Sequence, residues 1–375
     1  MAEREGFEPP VPFGITGFQD QRHKPLGHLS RTSFIIIGVC FFLVKTFFEC
    51  VHSVPLLDRL NSYRRNSIIT ATHPCILELI CMKLASRLAE ERYSLSFEVF
   101  PPKTDSAFDS VRQAALSIAE LSPSFVSVTY GAGGGTSRYT LALAQALQEQ
   151  AQVPAIAHLT CVSSTKETVR RQIRELQRAG IENVMALRGD LTPELQKADR
   201  SSWPYRYAVD LIRELRESGA DFCIGGACYP EVHPESRNQK EDIRHLREKV
   251  DAGCSFLTSQ MFFDNNLFYS FLYKIREAGI TVPVLPGIMP ITSATQIERA
   301  MKLSGSFMPQ RFRILVDRFG GSPEAMKQAG IAYATDQIID LFANGIRNVH
   351  VYTMNKPDVA SAIHTNVSSI LGMPV

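Results

Sequence analysis

The feature that most constrains the fold is a regular alternation of short apolar segments and amphipathic segments from Leu95 onward. We predict strands at 95–100, 124–129, 154–159, 183–187, 222–227, 255–259, 283–288 and 348–352. Each is followed by a stretch with helical spacing of apolar residues. Eight such units of roughly thirty residues each predict a (β/α)8 TIM barrel. A doubly wound open sheet is the alternative, because alternation alone does not distinguish a closed ring from an open edge.

Signals for helix ends accompany this alternation. Plausible N-terminal caps of four helices are Asp105, Ser137, Thr165 and Ser293. Glycines close several other helices a few residues before the next strand, at Gly180, Gly219, Gly253, Gly279 and Gly345. The gap between the seventh and eighth strands is longer than the others, and we predict additional helix around 309–319.

Residues 1–90 do not share the alternation, and we treat them as an N-terminal extension of a barrel domain that covers 91–375. The extension contains an apolar run, Phe34–Val44, that is shorter than the ~20 residues a membrane-spanning helix needs. Basic residues precede this run as in a signal peptide, but no small-x-small cleavage site follows it. We expect the extension to be poorly ordered, with a leading helix within 77–92. A membrane-tethered module is the alternative.

The composition excludes several classes of protein. Hydrophobic residues make up 45% and charged residues 21% of the chain, and the net charge is +2, as in an ordinary globular protein without a nucleic-acid partner. The eight cysteines contain no CxxC pair, so neither a disulfide framework nor a zinc knuckle is indicated. A reducing cytoplasm is the simplest setting.

One carboxylate lies inside an apolar strand, in the stretch Ser96-Phe97-Glu98-Val99-Phe100-Pro101-Pro102. Strand alternation places Leu95, Phe97 and Val99 on one face and Ser96, Glu98 and Phe100 on the other. Both faces of a parallel sheet are normally buried. The Glu98 carboxylate must therefore be paired, protonated or part of a site. A structural glutamate that pairs with a lysine or arginine of the barrel remains open at this point, beside a catalytic one.

Polar side chains also follow the other strands, at the end where barrel active sites lie. They are Thr129 and Tyr130, His158 and Thr160, 188–190, 229–235, 260–264, 286–290 and 352–356. So many polar clusters at one end of the barrel indicate a site.

Two other interpretations of these residues have weaker support. The glycine-rich stretch 131–135 resembles a dinucleotide fingerprint, but its third glycine would fall on Thr136. A metal site could be drawn from Glu98, His158, Asp190 and His233, with ligand types that suit zinc, as in a metal-assisted hydrolase. No HxH or HExxH spacing supports it.

Taken together, the strand-end motifs closely resemble the 5,10-methylenetetrahydrofolate reductase family. The matching blocks are SFEVFPPKT (96–104), FVSVTYGAGG (125–134), AHLTC (157–161), ALRGDL (186–191), YPEVHPES (229–236), KVDAGC (249–254), TSQMFFD (258–264), PGIMPI (286–291) and HVYTMNK (350–356). They follow the family order over about residues 94–372 and leave the extension uncovered.

The resemblance implies an oxidoreductase with a non-covalent FAD. NADH or NADPH would reduce the flavin and leave, and 5,10-methylenetetrahydrofolate would then be reduced to 5-methyltetrahydrofolate, a methyl source for methionine synthesis. The resemblance also implies a homo-oligomer. We expect no regulatory domain after the barrel, and therefore no control by S-adenosylmethionine.

The resemblance assigns roles position by position. Glu98 matches the general acid, and Asp190 is the second catalytic residue. Positions that contact the flavin are Thr129, Tyr130, His158, Arg188, Gly189, Asp190, Tyr207, Ala208, Tyr229, His233, Ser236, Asp242 and Lys249. Positions that face the substrates are Thr129, Asp190, Gln260, Gln296 and Lys356. Lys356 replaces an arginine of bacterial relatives and cannot make its bidentate contact with a carboxylate. No metal is expected.

The chemistry agrees with these roles. A methylene bridge between two nitrogens accepts hydride poorly until one C–N bond opens to an iminium cation. The departing nitrogen needs an acid that still holds its proton near neutral pH, and we expect burial among Phe97, Phe100 and a flavin to favour neutral Glu98. Asp190 should stay charged and stabilise the cation. Arg188 and Lys249 offer positive charge for the pyrophosphate.

Overall fold

A single parallel sheet forms the centre of the molecule. The computed structural model describes residues 83–90, 92–130 and 137–375. The strands are β1 Ser94–Val99, β2 Val126–Val128, β3 Ala155–Thr160, β4 Asn183–Leu187, β5 Cys223–Cys228, β6 Phe256–Ser259, β7 Val284–Leu285, β8 Gly287–Ile288 and β9 Asn348–Tyr352. Their order in the sheet is β7-β6-β5-β4-β3-β2-β1-β9-β8.

The two ends of this order meet at Pro286, which separates β7 from β8. β7 pairs with β6, where Val284 is opposite Leu257, and β8 pairs with β9, where Gly287 is opposite His350. The Pro286 carbonyl accepts a hydrogen bond from the His350 amide at 2.9 Å. The predicted strand 283–288 is divided here because proline has no N–H to donate. One segment thus joins both ends of the sheet. The predicted (β/α)8 barrel is confirmed, and the open-sheet alternative is wrong.

Helices surround the ring. They are α1 Leu84–Leu88, α2 Phe108–Ala119, α3 Ser137–Gln150, α4 Lys166–Arg178, α5 Pro193–Lys197, α6 Ala208–Glu217, α7 Gln239–Asp251, α8 Asn265–Glu277, α9 Ala294–Ser304, α10 Gln310–Phe319, α11 Pro323–Ala343 and α12 Pro357–Val367. α10 occupies the stretch where additional helix was expected from the long gap between strands. On the outer face of β1, Leu95, Phe97 and Val99 belong to the core between the sheet and these helices.

Most of the predicted helix ends are confirmed. Thr165 and Ser293 cap α4 and α9 by accepting hydrogen bonds from backbone amides three residues later, at 3.2 and 3.3 Å. The glycines at 180, 219, 253, 279 and 345 all have positive φ. The prediction for Asp105 is wrong. This residue begins a short 3-10 turn, and its carboxylate accepts hydrogen bonds from Tyr139 at 2.6 Å and Arg138 at 2.9 Å instead of capping α2.

The lower end of the barrel, where the strands begin, is filled by apolar side chains and covered by α1. Leu84 and Leu88 of this helix pack against residues that point into the barrel, which are Phe125, Ile156, Met185, Cys223, Phe256 and Leu285. The Leu84 amide also donates to the Asn183 side chain at 2.7 Å, which anchors α1 to the start of β4. α1 is the described part of the predicted leading helix.

The rest of the N-terminal extension, with the apolar run Phe34–Val44, lies outside the described residues. The proposed boundary of the barrel domain at residue 90 therefore stays a prediction. Within the described residues, no helix is both long enough and apolar enough to span a membrane.

Candidate active site

The Glu98 carboxylate lies at the upper end of β1, inside the barrel, among polar side chains from three other strands. Its Oε2 atom is 3.5 Å from Ser127 Oγ on β2, 3.7 Å from His158 Nε2 on β3 and 4.0 Å from His350 Nε2 on β9. The strand register places Glu98 opposite both Ser127 and Tyr352, so these side chains share one face. With 22% of its side chain exposed, Glu98 is enclosed by the strands and open to the barrel mouth.

The expected aromatic surroundings of Glu98 are wrong. Phe97 points to the outer face and is fully buried among the helices. Phe100 is 39% exposed, and its amide and carbonyl both bond to the Asn355 side chain at 2.9 Å. Within the described part of the chain, neither a lysine nor an arginine pairs with Glu98; the basic side chains within 4.0 Å of its carboxylate are the imidazoles of His158 and His350. A structural lysine or arginine pair for Glu98 is therefore not found there.

His158 is a buried base, and none of the described residues forms a hydrogen bond with its Nε2 atom. Burial is the main cause that lowers its pKa to about 4; Glu98 opposes the shift and His350 adds to it. The ring is therefore neutral near pH 7. Buried polar atoms are rarely left unpaired in proteins, so Nε2 is the atom that a bound polar ligand would satisfy.

Two residues of β9 complete the interior face. From the sequence, Tyr352 was named only among the polar residues at the strand ends and His350 only within a matching block, and neither of them was given a role. The Tyr352 hydroxyl donates to the Ser259 carbonyl at 2.6 Å across the barrel, and burial raises its pKa well above the usual value. A Cβ atom at Gly287 would lie 2.4 Å from both the Tyr352 hydroxyl oxygen and the Ser259 carbonyl oxygen, so only glycine fits beneath Tyr352. His350 lies one layer lower, between Phe125 and Tyr352. The alternation along HVYTMNK could have revealed that His350 and Tyr352 share the interior face.

The loop after β5 is organised by one carboxylate. Asp242 accepts hydrogen bonds from the His233 amide at 3.2 Å and the Ser236 hydroxyl at 3.1 Å. Arg188, at the end of β4, pairs with Glu235 of the same loop at 2.6 Å, and this contact lowers the Glu235 pKa. The structure therefore assembles four predicted flavin positions, Arg188, His233, Ser236 and Asp242, on one side of the barrel mouth.

Lys249 and Tyr229 lie beside this loop. The Lys249 ammonium donates to the Ala227 carbonyl near the end of β5, and burial lowers its pKa. The Tyr229 ring is edge-on to His233, with centroids 4.6 Å apart, and burial raises its pKa to about 12. The Lys249 charge thus has a protein carbonyl as its hydrogen-bond partner.

The remaining predicted flavin positions are more dispersed. Tyr207 precedes Ala208, the first residue of α6, and 58% of its surface is exposed. Asp190 is exposed on the loop that follows β4. After β2, the Thr129 carbonyl accepts from Thr140 Oγ1 at 2.9 Å, and Tyr130 accepts from Gln172 at 2.5 Å. Gly189 has a φ of 94°, a conformation that favours glycine. The glycine-rich stretch 131–135 lies outside the described residues.

Two of the predicted folate positions are connected through a threonine. Lys356 donates to Thr292 Oγ1 at 2.8 Å, and Gln296 Oε1 accepts from the Thr292 amide at 3.0 Å. On the neighbouring β6 side, Gln260 Oε1 accepts from the Met261 amide at 3.0 Å.

The metal-site alternative has no ligand set in the described ranges. No three His, Cys, Asp or Glu side chains are grouped there as metal ligands. Glu98 and His158 are adjacent, whereas the His233 amide is bonded to Asp242 and Asp190 lies exposed on its loop.

The closed parallel sheet with its surrounding helices, and the polar site at the carboxyl ends of the strands, place the protein in the class of (β/α)8-barrel proteins. A family model described as "Methylenetetrahydrofolate reductase" matches residues 83–368. The chain is 34% identical over 275 residues to the 5,10-methylenetetrahydrofolate reductase of Pectobacterium carotovorum, covering 73% of this chain and 90% of the relative. The Escherichia coli enzyme of the same name is 34% identical over 273 residues, covering 72% and 90%. The chain belongs to the methylenetetrahydrofolate reductase family.

A longer relative also matches the chain, and a solved structure shares its fold. The maize protein "Methylenetetrahydrofolate reductase (NADH) 1" is 32% identical over 298 residues, which cover 77% of this chain and 50% of the maize protein. A structure of an uncharacterized Clostridium thermocellum protein, which binds two copies of 5-methyl-5,6,7,8-tetrahydrofolic acid, aligns with a TM-score of 0.55. It covers 76% of this chain and 97% of that one at 15% identity, which shows a shared fold. Family membership makes the chain an oxidoreductase of one-carbon folate metabolism.

Proposed function

We propose that the protein is an FAD-dependent reductase that converts 5,10-methylenetetrahydrofolate to 5-methyltetrahydrofolate with NADH or NADPH, in a ping-pong reaction. The observation that carries this proposal is the Glu98 carboxyl, which is enclosed at the mouth of a barrel of this family beside two histidines. It is a proton donor placed where barrel enzymes act on their substrates.

The residues around the barrel mouth fit FAD. His158 Nε2 is a buried polar atom that has no hydrogen-bond partner among the described residues, and a nitrogen or carbonyl of a flavin ring could satisfy it. Residues that would hold the cofactor are Thr129, Tyr130, His158, Arg188, Gly189, Asp190, Tyr207, Ala208, Tyr229, His233, Ser236, Asp242 and Lys249. Arg188 and Lys249 supply positive charge suited to the pyrophosphate, although each also has a contact within the protein. When bound, FAD would carry a hydride from NAD(P)H to the folate.

Glu98 supplies the proton that the folate needs. The proton would go to the nitrogen that leaves the methylene carbon, so that the ring opens to an iminium cation able to accept hydride. Proton transfer of this kind typically contributes about 10²–10⁴-fold to a rate. Neutral His158 beside Glu98 adds no positive charge that would hold the carboxyl as an anion. The enclosed position limits contact of the acid with bulk water.

The other residues orient the substrates. Asp190 would stabilise the cationic folate from the loop after β4. Gln260 and Thr129 would border the folate and the nicotinamide, and Gln296 would contact the folate. Lys356 would attract the glutamate tail as a point charge, since it lacks the planar fork of arginine. We further propose that the enzyme acts in the cytoplasm as a homo-oligomer and supplies methyl groups for methionine synthesis.

The test is a visible spectrum of the purified full-length protein under anaerobic conditions. We expect the absorbance of bound FAD, its bleaching by NADH or NADPH without folate, and its return when methylenetetrahydrofolate is added. Product analysis should find 5-methyltetrahydrofolate. A folded protein that takes up no FAD, or whose reduced flavin is not reoxidised by the folate, would contradict the proposal.

A further inference from the structure

The loop after β5 contains a residue in an unfavourable backbone conformation. Val232 has a φ of 75°, and it is the one β-branched residue with positive φ in the part of the chain that the structure describes. A β-branched side chain is crowded against its own backbone in this region, so such a residue is a genuine outlier. Conformations of this kind lower stability and persist where surrounding contacts hold them, commonly at functional sites.

Two carboxyl groups hold the chain on either side of Val232. Before it, Glu231 Oε2 accepts a hydrogen bond from the Phe307 amide at 2.6 Å. After it, the His233 amide donates to Asp242 Oδ2 at 3.2 Å. Residues 231 and 233 are therefore fixed to two different parts of the molecule, and the conformation of Val232 joins them.

The partner of Glu231 belongs to an anchored segment between α9 and α10. The hydroxyl of Ser306, a buried residue, donates to the Met261 carbonyl after β6 at 2.8 Å. Met308 packs against a buried apolar cluster that includes Met261. The Phe307 amide lies between these two contacts, so Glu231 links the loop after β5 to a fixed point.

The Glu231 carboxyl itself lowers the stability of the fold. Its Oε1 atom is buried and has no hydrogen-bond partner among the described residues, and burial raises the pKa of the carboxyl. A buried polar atom without a partner costs free energy. Such a carboxyl beside the strained Val232 indicates a functional constraint on this loop.

The conformation of Val232 determines the direction in which the chain continues. Residues that we assign to FAD lie on both sides of it, Tyr229 before it and His233 and Ser236 after it. The Ser236 amide donates to the His233 carbonyl at 2.9 Å, and the Ser236 hydroxyl donates to Asp242 at 3.1 Å. With an extended or helical φ at residue 232, the chain would leave in another direction and these positions would be lost.

We propose that Glu231 is a positioning residue for FAD, which holds Val232 in its strained conformation so that His233 and Ser236 are in place before the cofactor binds. This inference rests on the proposed function. Binding to a loop that is already ordered loses less conformational entropy, so the cofactor binds more tightly.

The test is the dissociation constant of FAD for the full-length protein, measured by titration with flavin fluorescence, together with urea unfolding of the FAD-free protein. Glu231→Ala should raise the Kd by about tenfold, the effect expected from the loss of one hydrogen bond to a carboxylate, and should lower the urea midpoint. Glu231→Gln keeps an acceptor oxygen for the Phe307 amide and should retain most of the affinity.

Val232→Gly separates positioning from stability. Glycine adopts a positive φ without strain, so the urea midpoint should not fall. The loop loses its fixed shape, however, and the Kd of FAD should rise. A matched control is Ser122→Gly, because Ser122 also has a positive φ, 53°, but precedes β2 at the lower end of the barrel. Its Kd should equal that of the unmodified protein.

An unchanged Kd in a folded Glu231→Ala or Val232→Gly protein would overturn the proposal, and Val232→Gly carries the test if Glu231→Ala does not fold. A Val232→Gly protein that loses stability and affinity together, or an equal rise of the Kd in Ser122→Gly, would also overturn it. An unmodified protein that takes up no FAD would remove the proposed function and this inference together. An unmodified protein that binds FAD and reduces the folate, with unmoved variants, would remove only this inference.

Discussion

The two ends of the barrel interior are built by the same strands from opposite kinds of residue. At the lower end, Phe256, Leu285 and their neighbours form an apolar cluster that α1 covers. At the upper end, Glu98 and His158 lie among hydroxyl and imidazole groups. The same parallel strands run through both regions, and the regions differ in the side chains that point into the barrel.

This difference separates stability from chemistry. Burial of large apolar side chains stabilises the fold, whereas buried polar groups cost free energy and are retained where they serve a function or are fully bonded. Substitutions at the lower end should therefore change the free energy of unfolding and spare the reaction. Substitutions at the upper end should act mainly on the reaction.

The largest expected effect on stability comes from Phe256→Ala at the lower end. Phe256 is fully buried, and its ring packs directly against Gly225. A Cβ atom added at Gly225 would lie only 2.3 Å from this ring. We expect the free energy of unfolding to fall by about 3–5 kcal/mol, while turnover per bound flavin stays within twofold. Urea unfolding and steady-state assays measure the two quantities.

Tyr273→Ala is the matched control, because Tyr273 is an aromatic residue on the outside with 66% of its surface exposed. It should change the unfolding free energy by about 0.5 kcal/mol or less. If Phe256→Ala abolishes turnover of the folded protein, then stability and chemistry are not separated between the lower and upper ends of the barrel.

A smaller effect on the free energy of unfolding comes from the buried His158 at the upper end. His158 has a pKa of about 4 in the folded protein against 6.5 as the ordinary value. Between these values the unfolded chain binds the proton and the folded chain does not, so stability is fully present above pH 6.5 and lost as the pH falls toward 4. From pH 7 to pH 5 this residue should account for a loss of about 2 kcal/mol.

The measurement is urea unfolding of the unmodified protein and of His158→Gln at both pH values. The variant should lose less stability than the unmodified protein on acidification. Equal losses in the two proteins would show that His158 is not held neutral by burial.

The smallest expected effect is at Lys356, at the edge of the site. Lys356→Met should raise the KM for methylenetetrahydrofolate by up to about tenfold with little change in kcat, because one exposed charge contributes on the order of 1 kcal/mol. Lys356→Arg should lower the KM if the fork of arginine reaches the glutamate tail. Steady-state kinetics with monoglutamyl and polyglutamyl substrates checks both. A KM unchanged in both variants would place the tail elsewhere.

Much of the fold follows from local sequence patterns. Strands 183–187 and 348–352 were predicted with the observed bounds, because short segments rich in valine and other apolar residues mark buried strands. The division at Pro286 and the 3-10 turn at Asp105 were missed. Both depend on which groups the backbone meets in the tertiary structure, namely the partners of β6 and β9 and the side chains of Arg138 and Tyr139.

The site was predicted less completely. Glu98 is recognisable because a carboxylate in an apolar strand is unusual, and the family resemblance added the residues of the loops. Ser127 and His350 were missed because a serine and a histidine in a strand are ordinary until the register brings them next to Glu98. The expected contact of Glu98 with Phe97 was wrong, since adjacent residues in a strand point to opposite faces.

The most direct test of the central claim, that Glu98 is the acid for folate reduction, is to measure both half-reactions of Glu98→Gln. We predict that NADH or NADPH reduces the bound flavin at the rate of the unmodified enzyme, while reoxidation by methylenetetrahydrofolate slows by about 10²–10⁴-fold. Reoxidation at the unmodified rate, or an equal loss in both half-reactions, would contradict it.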